Sequence, residues 1–308
     1  MENIPGTVMD HVVKHILLRK IGIRINDMDH ISEVAMGQYK ICQYDIEEVH
    51  KKLLLILLEV DRICRKHKIK YSLEGGTLLG AIKYKGFVPW DDDIDIIMER
   101  KEYERFLKIC RKELNEYFFL QNYRTVRHFP LNYSKIHMRH TLYVQESTKY
   151  LKIHHGLYVD IFPVDHIYRP LLRLQVALIG ALTSARGVKL NRIYKIKEVV
   201  TSNPMKLFIY HLLALFPLWW INFCIDISCK MFNPFPGKYY YEVCNPNRNF
   251  KPLHRKIYQE LMEVEFMGLR FLASKHYRTF LKSRFGDIRK LPPVEERRPS
   301  HKIIRCRL

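Results

Sequence analysis

The stretch from Leu73 to Met98, LEGGTLLGAIKYKGFVPWDDDIDIIM, decides how this chain is read. Its second half, VPWDDDIDIIM (88–98), alternates Asp with Ile, the two-residue period of a β-strand. Asp91, Asp93 and Asp95 are therefore expected on one face of a strand, with Asp92 and Ile94 on the other. Carboxylates spaced about 7 Å apart on one face repel one another unless a cation sits among them. The run merges into Ile96, Ile97 and Met98, so the strand enters a core instead of ending as a solvated acidic turn. A hard divalent cation with oxygen ligands, Mg²⁺ or Mn²⁺, is the expected occupant, able to bridge to substrate phosphates.

Working upstream, YSLEGG (71–76) reads as a short strand ending at a glycine pair. GTLLGAIKYKG (76–86) reads as a brief helix with Thr77 as its N-cap and Gly86 as its stop. Backbone N–H groups at a helix start, with no side chain in the way, make a phosphate cradle. A glycine pair alone is an ordinary turn. Ahead of Lys83, Lys85 and a carboxylate face, Gly75 and Gly76 acquire the role of holding phosphates whose charge the lysines offset.

Further out, Val49, Leu53, Ile56, Leu57, Val60 and Cys64 recur every three or four residues and predict a helix over 46–66. A second helix is expected over 100–117, and a strand over GLYVDIFPVD (156–165). Asp160 is a charge inside that apolar strand, and buried charges persist mainly when paired or metal-bound, which makes it a candidate third acid. Asp165, after Pro163, reads as a cap or turn residue ending the strand. Residues 170–230 are helical and unusually apolar; VEFMGLRFLA (264–273) is a hairpin turning at Gly268; HYRTFLKSRFG (276–286) is a helix closed by Gly286.

The composition is that of a globular chain: 308 residues, 47% hydrophobic and 27% charged, neither disordered nor collagenous. Fifty-two Lys and Arg against 32 Asp and Glu give a net charge of +20, which attracts polyanions without choosing among them. No RNA-binding module or aromatic–basic interleaving is present, so nucleic acid is not an expected partner. Seven scattered cysteines, without CxxC pairs or zinc-finger intervals, suit a reducing cytoplasm, and the first twenty residues lack the order of a signal peptide.

Leu73–Met98 closely resembles the signature of the LicD family, phosphocholine and related phosphotransferases similar to the fukutin group. Two further blocks match in order: HGLYVDIFPVD (155–165), and FLKSRFGDIRKLPPVEERRPSH (280–301), which is similar to the family's C-terminal GD…LPP…H segment. The resemblance implies an α+β fold: a nucleotidyltransferase-like mixed β-sheet core with flanking helices and a largely helical apolar insertion. The expected organisation is an N-terminal arm or short helices over 1–45, the catalytic core over 46–165, the helical insertion over 166–250, and a C-terminal part of the catalytic fold with a basic tail over 251–308.

By the same resemblance Asp93 and Asp95 are the metal-binding pair, with Asp91 assisting and Asp160 as the third carboxylate. Gly75, Gly76 and Thr77 would contact nucleotide phosphates, and Lys83, Lys85 and Lys135 would be phosphate-facing cations. The implied reaction passes a phospho-alcohol from a CDP-activated donor, CDP-choline for many members, to a sugar hydroxyl of a glycan or lipid-linked saccharide. The same acids could serve nucleotidyl transfer to RNA or protein, and a basic membrane scaffold binding a structural ion is the non-enzymatic alternative.

Residues 207–225, LFIYHLLALFPLWWINFCI, are about long enough to span a bilayer, but include His211, Pro217 and Asn222. With Trp219-Trp220 and the basic stretch before it, the segment is expected to lie in the interface of an anionic membrane, at the inner face of the cell membrane, with a buried core helix as the alternative.

Overall fold

The computed structural model describes residues 44–196, 200–245 and 251–308. The arm expected over 1–45 lies, apart from Tyr44 and Asp45, outside them. The first described helix, α1 (Ile46–Lys66), starts where Asp45 accepts a hydrogen bond from the Glu47 N–H at 2.9 Å and buries Val49, Leu53, Ile56, Leu57 and Val60. These are the positions that the three-and-four spacing selects.

The core is a mixed sheet in the order β1 (Ser72–Leu73), β2 (Asp95–Glu99), β6 (Tyr158–His166), β4 (Ser134–Met138), β3 (Phe118–Gln121). Only β2 and β6 run parallel among these pairs. All nine residues of β6 are buried, which is why its sequence is apolar on both faces. Helix α2 (Gly75–Tyr84) connects β1 towards β2, and α3 (Arg100–Glu113) follows β2 directly. A short strand β5 (Leu142–Gln145) pairs with the C-terminal β11 (Ile303–Arg307), so the end of the chain returns to the core. Near the far end of β6, β7 (Tyr239–Tyr241) and β8 (Leu253–His254) extend the sheet. The hairpin is β9 (Leu261–Phe266) and β10 (Leu269–Ser274), turning through Met267 and Gly268, both at positive φ (52° and 73°). After the single turn α7 (Lys256–Gln259), helix α8 (Tyr277–Phe285) closes at Gly286 with φ 70°, as its sequence predicts.

Several expectations need correction. The strand expected from 88 begins only at Asp95, because a turn at Val88–Asp91 (Asp91 N–H to Val88 carbonyl, 2.9 Å) precedes an irregular stretch to Ile94. Thr77 is not the N-cap of α2; Glu74 is, and α2 stops at Lys85 in the left-handed region (φ 58°), one residue before Gly86. Asp165 does not end a strand. It is fully buried inside β6, bound by Arg100 at 2.8 and 2.6 Å and by the Asn233 amide at 2.6 Å.

The apolar tract forms α4 (Leu172–Tyr194), α5 (Pro204–Leu213) and α6 (Leu218–Lys230). The 207–225 run is thus two helices, bent by 110° at a break ending in Pro217, where proline disfavours helical backbone in the residue before it. Polar contacts dock this layer. Arg186 of α4, 1% exposed, donates to Asn222 Oδ1 of α6 at 3.0 Å and to the Pro130 carbonyl. Glu104 of α3 pairs with Arg124 at 2.6 Å and Lys230 of α6 at 2.8 Å. Although burial opposes its charge, these partners hold the Glu104 carboxyl down at about 2.

Candidate active site

The site is built from the glycine turn, the Asp91–Asp95 approach, and the middle of the sheet. Parallel pairing of β2 with β6 sets Asp95 opposite Asp160, and antiparallel pairing of β4 sets Lys135 opposite Asp160. One rung therefore reads Asp95–Asp160–Lys135. Lys135 Nζ lies 2.7 Å from Asp160 Oδ1 and donates to Oδ2 at 2.9 Å, and it sits 3.4 Å above the Tyr158 ring.

The turn before β2 folds Asp91 and Asp93 onto the rung. Burial, then the charge of Asp92, pushes the Asp91 carboxyl up to about 6, while a hydrogen bond with Asp93 works the other way. Burial, followed by Asp91, Asp92 and Asp160, drives the Asp93 carboxyl well above the ordinary range. Crowded carboxylates of this kind call for a positive charge between them. Asp92 has its own set of hydrogen-bonding partners. It accepts from Tyr44 and Tyr143 at 3.1 and 2.9 Å and from Ser300 at 3.1 Å, with His301 Nδ1 at 3.0 Å. Burial raises the Asp92 carboxyl, but His301, Tyr143 and Ser300 outweigh that and hold it below the usual range.

Both glycines face these acids. Gly75 adopts φ 55°, and a Cβ on it would lie 3.2 Å from Asp95 Oδ2; a Cβ on Gly76 would fall inside the Asp91 carboxylate. Gly76→Ala should therefore turn the Asp91 side chain away and lower turnover about 10²-fold, the scale of a roughly 1 Å misplacement. Because only a side-chain tip must move, its melting temperature should stay near that of the wild type. Turnover measured beside melting curves checks both halves.

The other named residues differ in their fate. The Thr77 hydroxyl accepts the Asp95 N–H at 2.9 Å and so ties α2 to β2. Lys83 and Lys85 are exposed at the far end of α2, about 12 Å or more along its axis from Gly75. Lys83 donates to the Ile288 carbonyl at 3.2 Å, so the structure does not bring these two cations to the acids. Lys135 it does bring.

Other contributors carry no local sequence signal. His50 of α1 contacts the Asp91 carbonyl at 2.7 Å while stacked on Phe87, and burial lowers its imidazole. Arg284 of α8 binds Glu74 at 3.2 Å and Glu242, all three nearly wholly buried. That triad joins the C-terminal block to the residue before the glycine pair. The motif's Arg and Glu could be read as surface charges from sequence alone; only their burial reveals the pairing.

Among the described residues no three His, Cys, Asp or Glu side chains converge into a ready metal cage. Mg²⁺ commonly takes one or two carboxylates and completes its shell with phosphates and water. The oxygen donors gathered around Asp93, and their mutual repulsion, fit such a cation.

Residues 68–175 match the family model described as LicD/FKTN/FKRP, nucleotidyltransferase domain. The chain is 27% identical over 257 residues, 78% of its length and 89% of the relative's, to the lipopolysaccharide cholinephosphotransferase LicD of Haemophilus influenzae. Shorter stretches match uncharacterized proteins of Rickettsia prowazekii (33% identical over 87 residues, 22% of this chain and 33% of that one) and Rickettsia typhi (37% over 71 residues, 22% and 23%). The resemblance drawn from Leu73–Met98 is borne out, and the mixed sheet with flanking helices is the fold that it implied.

Proposed function

We propose, from the LicD-type nucleotidyltransferase domain that residues 68–175 form, that this chain is a phosphotransferase moving a phospho-alcohol from a CDP-activated donor to a sugar hydroxyl of a cell-surface glycan or glycolipid. Phosphocholine is the favoured group, because the relative matched over most of both chains is a lipopolysaccharide cholinephosphotransferase. The observation that carries the reading is the crowding of Asp91, Asp92 and Asp160 about Asp93, with Asp95 beside Asp160 in the sheet, against a glycine pair with no side chains to obstruct a diphosphate.

In this reading the first turn of α2 binds the donor diphosphate through backbone N–H groups, helped by the helix dipole. Mg²⁺ or Mn²⁺, held by one or two carboxylates from the set Asp91, Asp93, Asp95 and Asp160, would neutralise that diphosphate and make CMP a better leaving group. The acceptor oxygen bonds to the phosphorus that carries the alcohol, and the bond from that phosphorus to the oxygen bridging to CMP breaks. CMP departs with the bridging oxygen. The hydroxyl proton passes to the Asp160 carboxylate, which Lys135 holds in position. Incubation with CDP-choline, Mg²⁺ and lipo-oligosaccharide should release CMP and attach choline to the glycan. Consumption of a nucleoside triphosphate instead would favour nucleotidyl transfer, and neither would favour a scaffold.

We further infer attachment to the inner face of the cell membrane. Leu174, Met205, Phe208, Leu215, Trp219 and Phe223 are exposed on the helical layer, the kind of apolar side chains that an interfacial helix buries among headgroups. One described helical stretch, Arg169–Tyr194, is long and apolar enough to cross a bilayer, and the bent α5–α6 pair passes the same length test as one broken span. Vesicles rich in phosphatidylglycerol should co-sediment the chain, salt should release it, and the pair Phe208→Ser with Trp219→Ser should weaken binding at least tenfold. A chain that stays in the supernatant at low salt would refute the attachment.

A further inference from the structure

A cleft adjoins the carboxylates without belonging to the diphosphate cradle. It measures about 820 Å³, and its lining includes Gln145, Lys149, Tyr150, Lys195, His301 and Lys302. Its floor reaches the acids along two routes. His301 Nδ1 lies 3.0 Å from Asp92 Oδ1 and 3.8 Å from Asp93 Oδ2. Gln145 donates to the Tyr158 hydroxyl at 2.5 Å, and the Tyr158 ring carries Lys135, the partner of Asp160.

From this geometry we infer that the cleft is the binding site for the sugar of a negatively charged, lipid-linked saccharide acceptor. The inference rests on the phosphotransfer reading above and adds the place and chemistry of the second substrate. In-line displacement at phosphorus requires the acceptor oxygen and the leaving group on opposite sides. Two separate approaches to the acids leave room for that arrangement: Gly75 and Gly76 meet Asp95 and Asp91, whereas the cleft arrives at Asp92 and Asp93 through His301.

The lining has the character of a saccharide site. Tyr150 is 49% exposed, a flat apolar face with a hydroxyl, on which a sugar ring can stack. The Gln145 amide and the Ser147 and Ser300 hydroxyls supply short-range hydrogen bonding. Lys149, Lys195 and Lys302 against the single Glu146 leave the lining net positive, matching phosphates or acidic sugars on the glycan. Glu146 is itself paired with Lys302 at 2.7 Å and approached by Lys149 at 3.8 Å.

Position relative to the helical layer supplies the lipid half. Tyr194 and Lys195 end α4, whose earlier turns expose Leu174 and Leu178. Next to the cleft, Leu151 packs with Leu190 of α4 and Leu218 of α6 in one cluster. A saccharide in the cleft therefore has an apolar helical surface beside it for its anchor.

The test uses the full chain and de-O-acylated lipo-oligosaccharide that keeps its phosphates, with binding measured by calorimetry in the absence of donor. Tyr150→Ala and Lys195→Glu, both outside the acid cluster, should each weaken glycan binding about tenfold or more. CMP release from CDP-choline in water should be unchanged in both. Unaltered glycan affinity in both variants, or no binding by the wild type, overturns the inference, as does a rise confined to the KM for CDP-choline, which would make the cleft a donor site. Should the wild type bind glycan but release no CMP under any condition, the phosphotransfer reading fails while the saccharide site stands.

Discussion

Asp93→Asn should reduce CMP release by about 10³-fold or more, the scale of losing one preorganised electrostatic group at a reacting phosphoryl centre, and should make the protein more stable to heat. The two effects have one cause. Burial and the charges of Asp91, Asp92 and Asp160 oppose ionisation of Asp93 in the folded chain, whereas the unfolded chain imposes no such penalty. A carboxyl whose folded pKa is raised costs stability at pH values above it, and costs nothing below the pKa of the unfolded chain. In the absence of divalent cation the variant should therefore melt higher than the wild type at neutral pH, with the gap closing as the pH falls below about 4. Added Mg²⁺ should raise the wild-type melting temperature more than the variant's. Turnover within tenfold of the wild type, or a lower melting temperature at pH 7, would refute the assignment of Asp93 to a crowded cation site.

The second large effect concerns stability alone. Arg100→Met strips Asp165 of its two-pronged partner in an interior position that water does not reach. Breaking one side of a buried pair costs about 3–5 kcal/mol, because the remaining charge stays desolvated. Urea unfolding should show that loss, and Arg100→Met combined with Asp165→Asn should recover most of it. The Asn233 amide, 2.6 Å from Asp165 in the wild type, is unequal to the task as a neutral donor. A single variant as stable as the wild type would show that the pair contributes little. Arg100 also stands 3.7 Å from Glu104, and Glu104 holds Arg124 and Lys230, so the same loss should loosen α6 against α3.

How much was legible in the sequence depends on the range over which each residue acts. Helix α1 was readable to its ends, because an apolar stripe is a local property of consecutive residues. The hairpin at Gly268 and the stop at Gly286 were readable for the same reason: positive φ favours glycine wherever the chain must turn that way. Alternation assigned Asp92 to the opposite face from Asp91 and Asp93, yet the structure has no strand there, and His301 reaches both Asp92 and Asp93. The turn begun at Val88 interrupts extended backbone before Asp95, and a period of two cannot distinguish a strand from a loop that delivers side chains alternately.

The burial of Asp165 and the partner of Lys135 illustrate what a linear reading leaves undecided. A carboxylate two residues after a proline looks like the end of a strand; what keeps Asp165 inside is an arginine 65 residues earlier. Lys135 had no motif of its own around it, and its place in the cluster follows from the register of β4 on β6. Lys83 and Lys85 sat close to the glycines in sequence and are remote in space, because a helix carries successive residues away along its axis.

By itself, then, the amino-acid order determined the local elements, the glycine turn, the acidic run and the family to which they point, since each depends on neighbours within a few residues. Tertiary structure alone decided which acid meets which base, that Arg284 and His301 return to the glycine and aspartate segments, and that a cleft opens beside them. Those are consequences of strand register and of contacts between residues up to about two hundred positions apart, where desolvation, not local conformational preference, selects the partner.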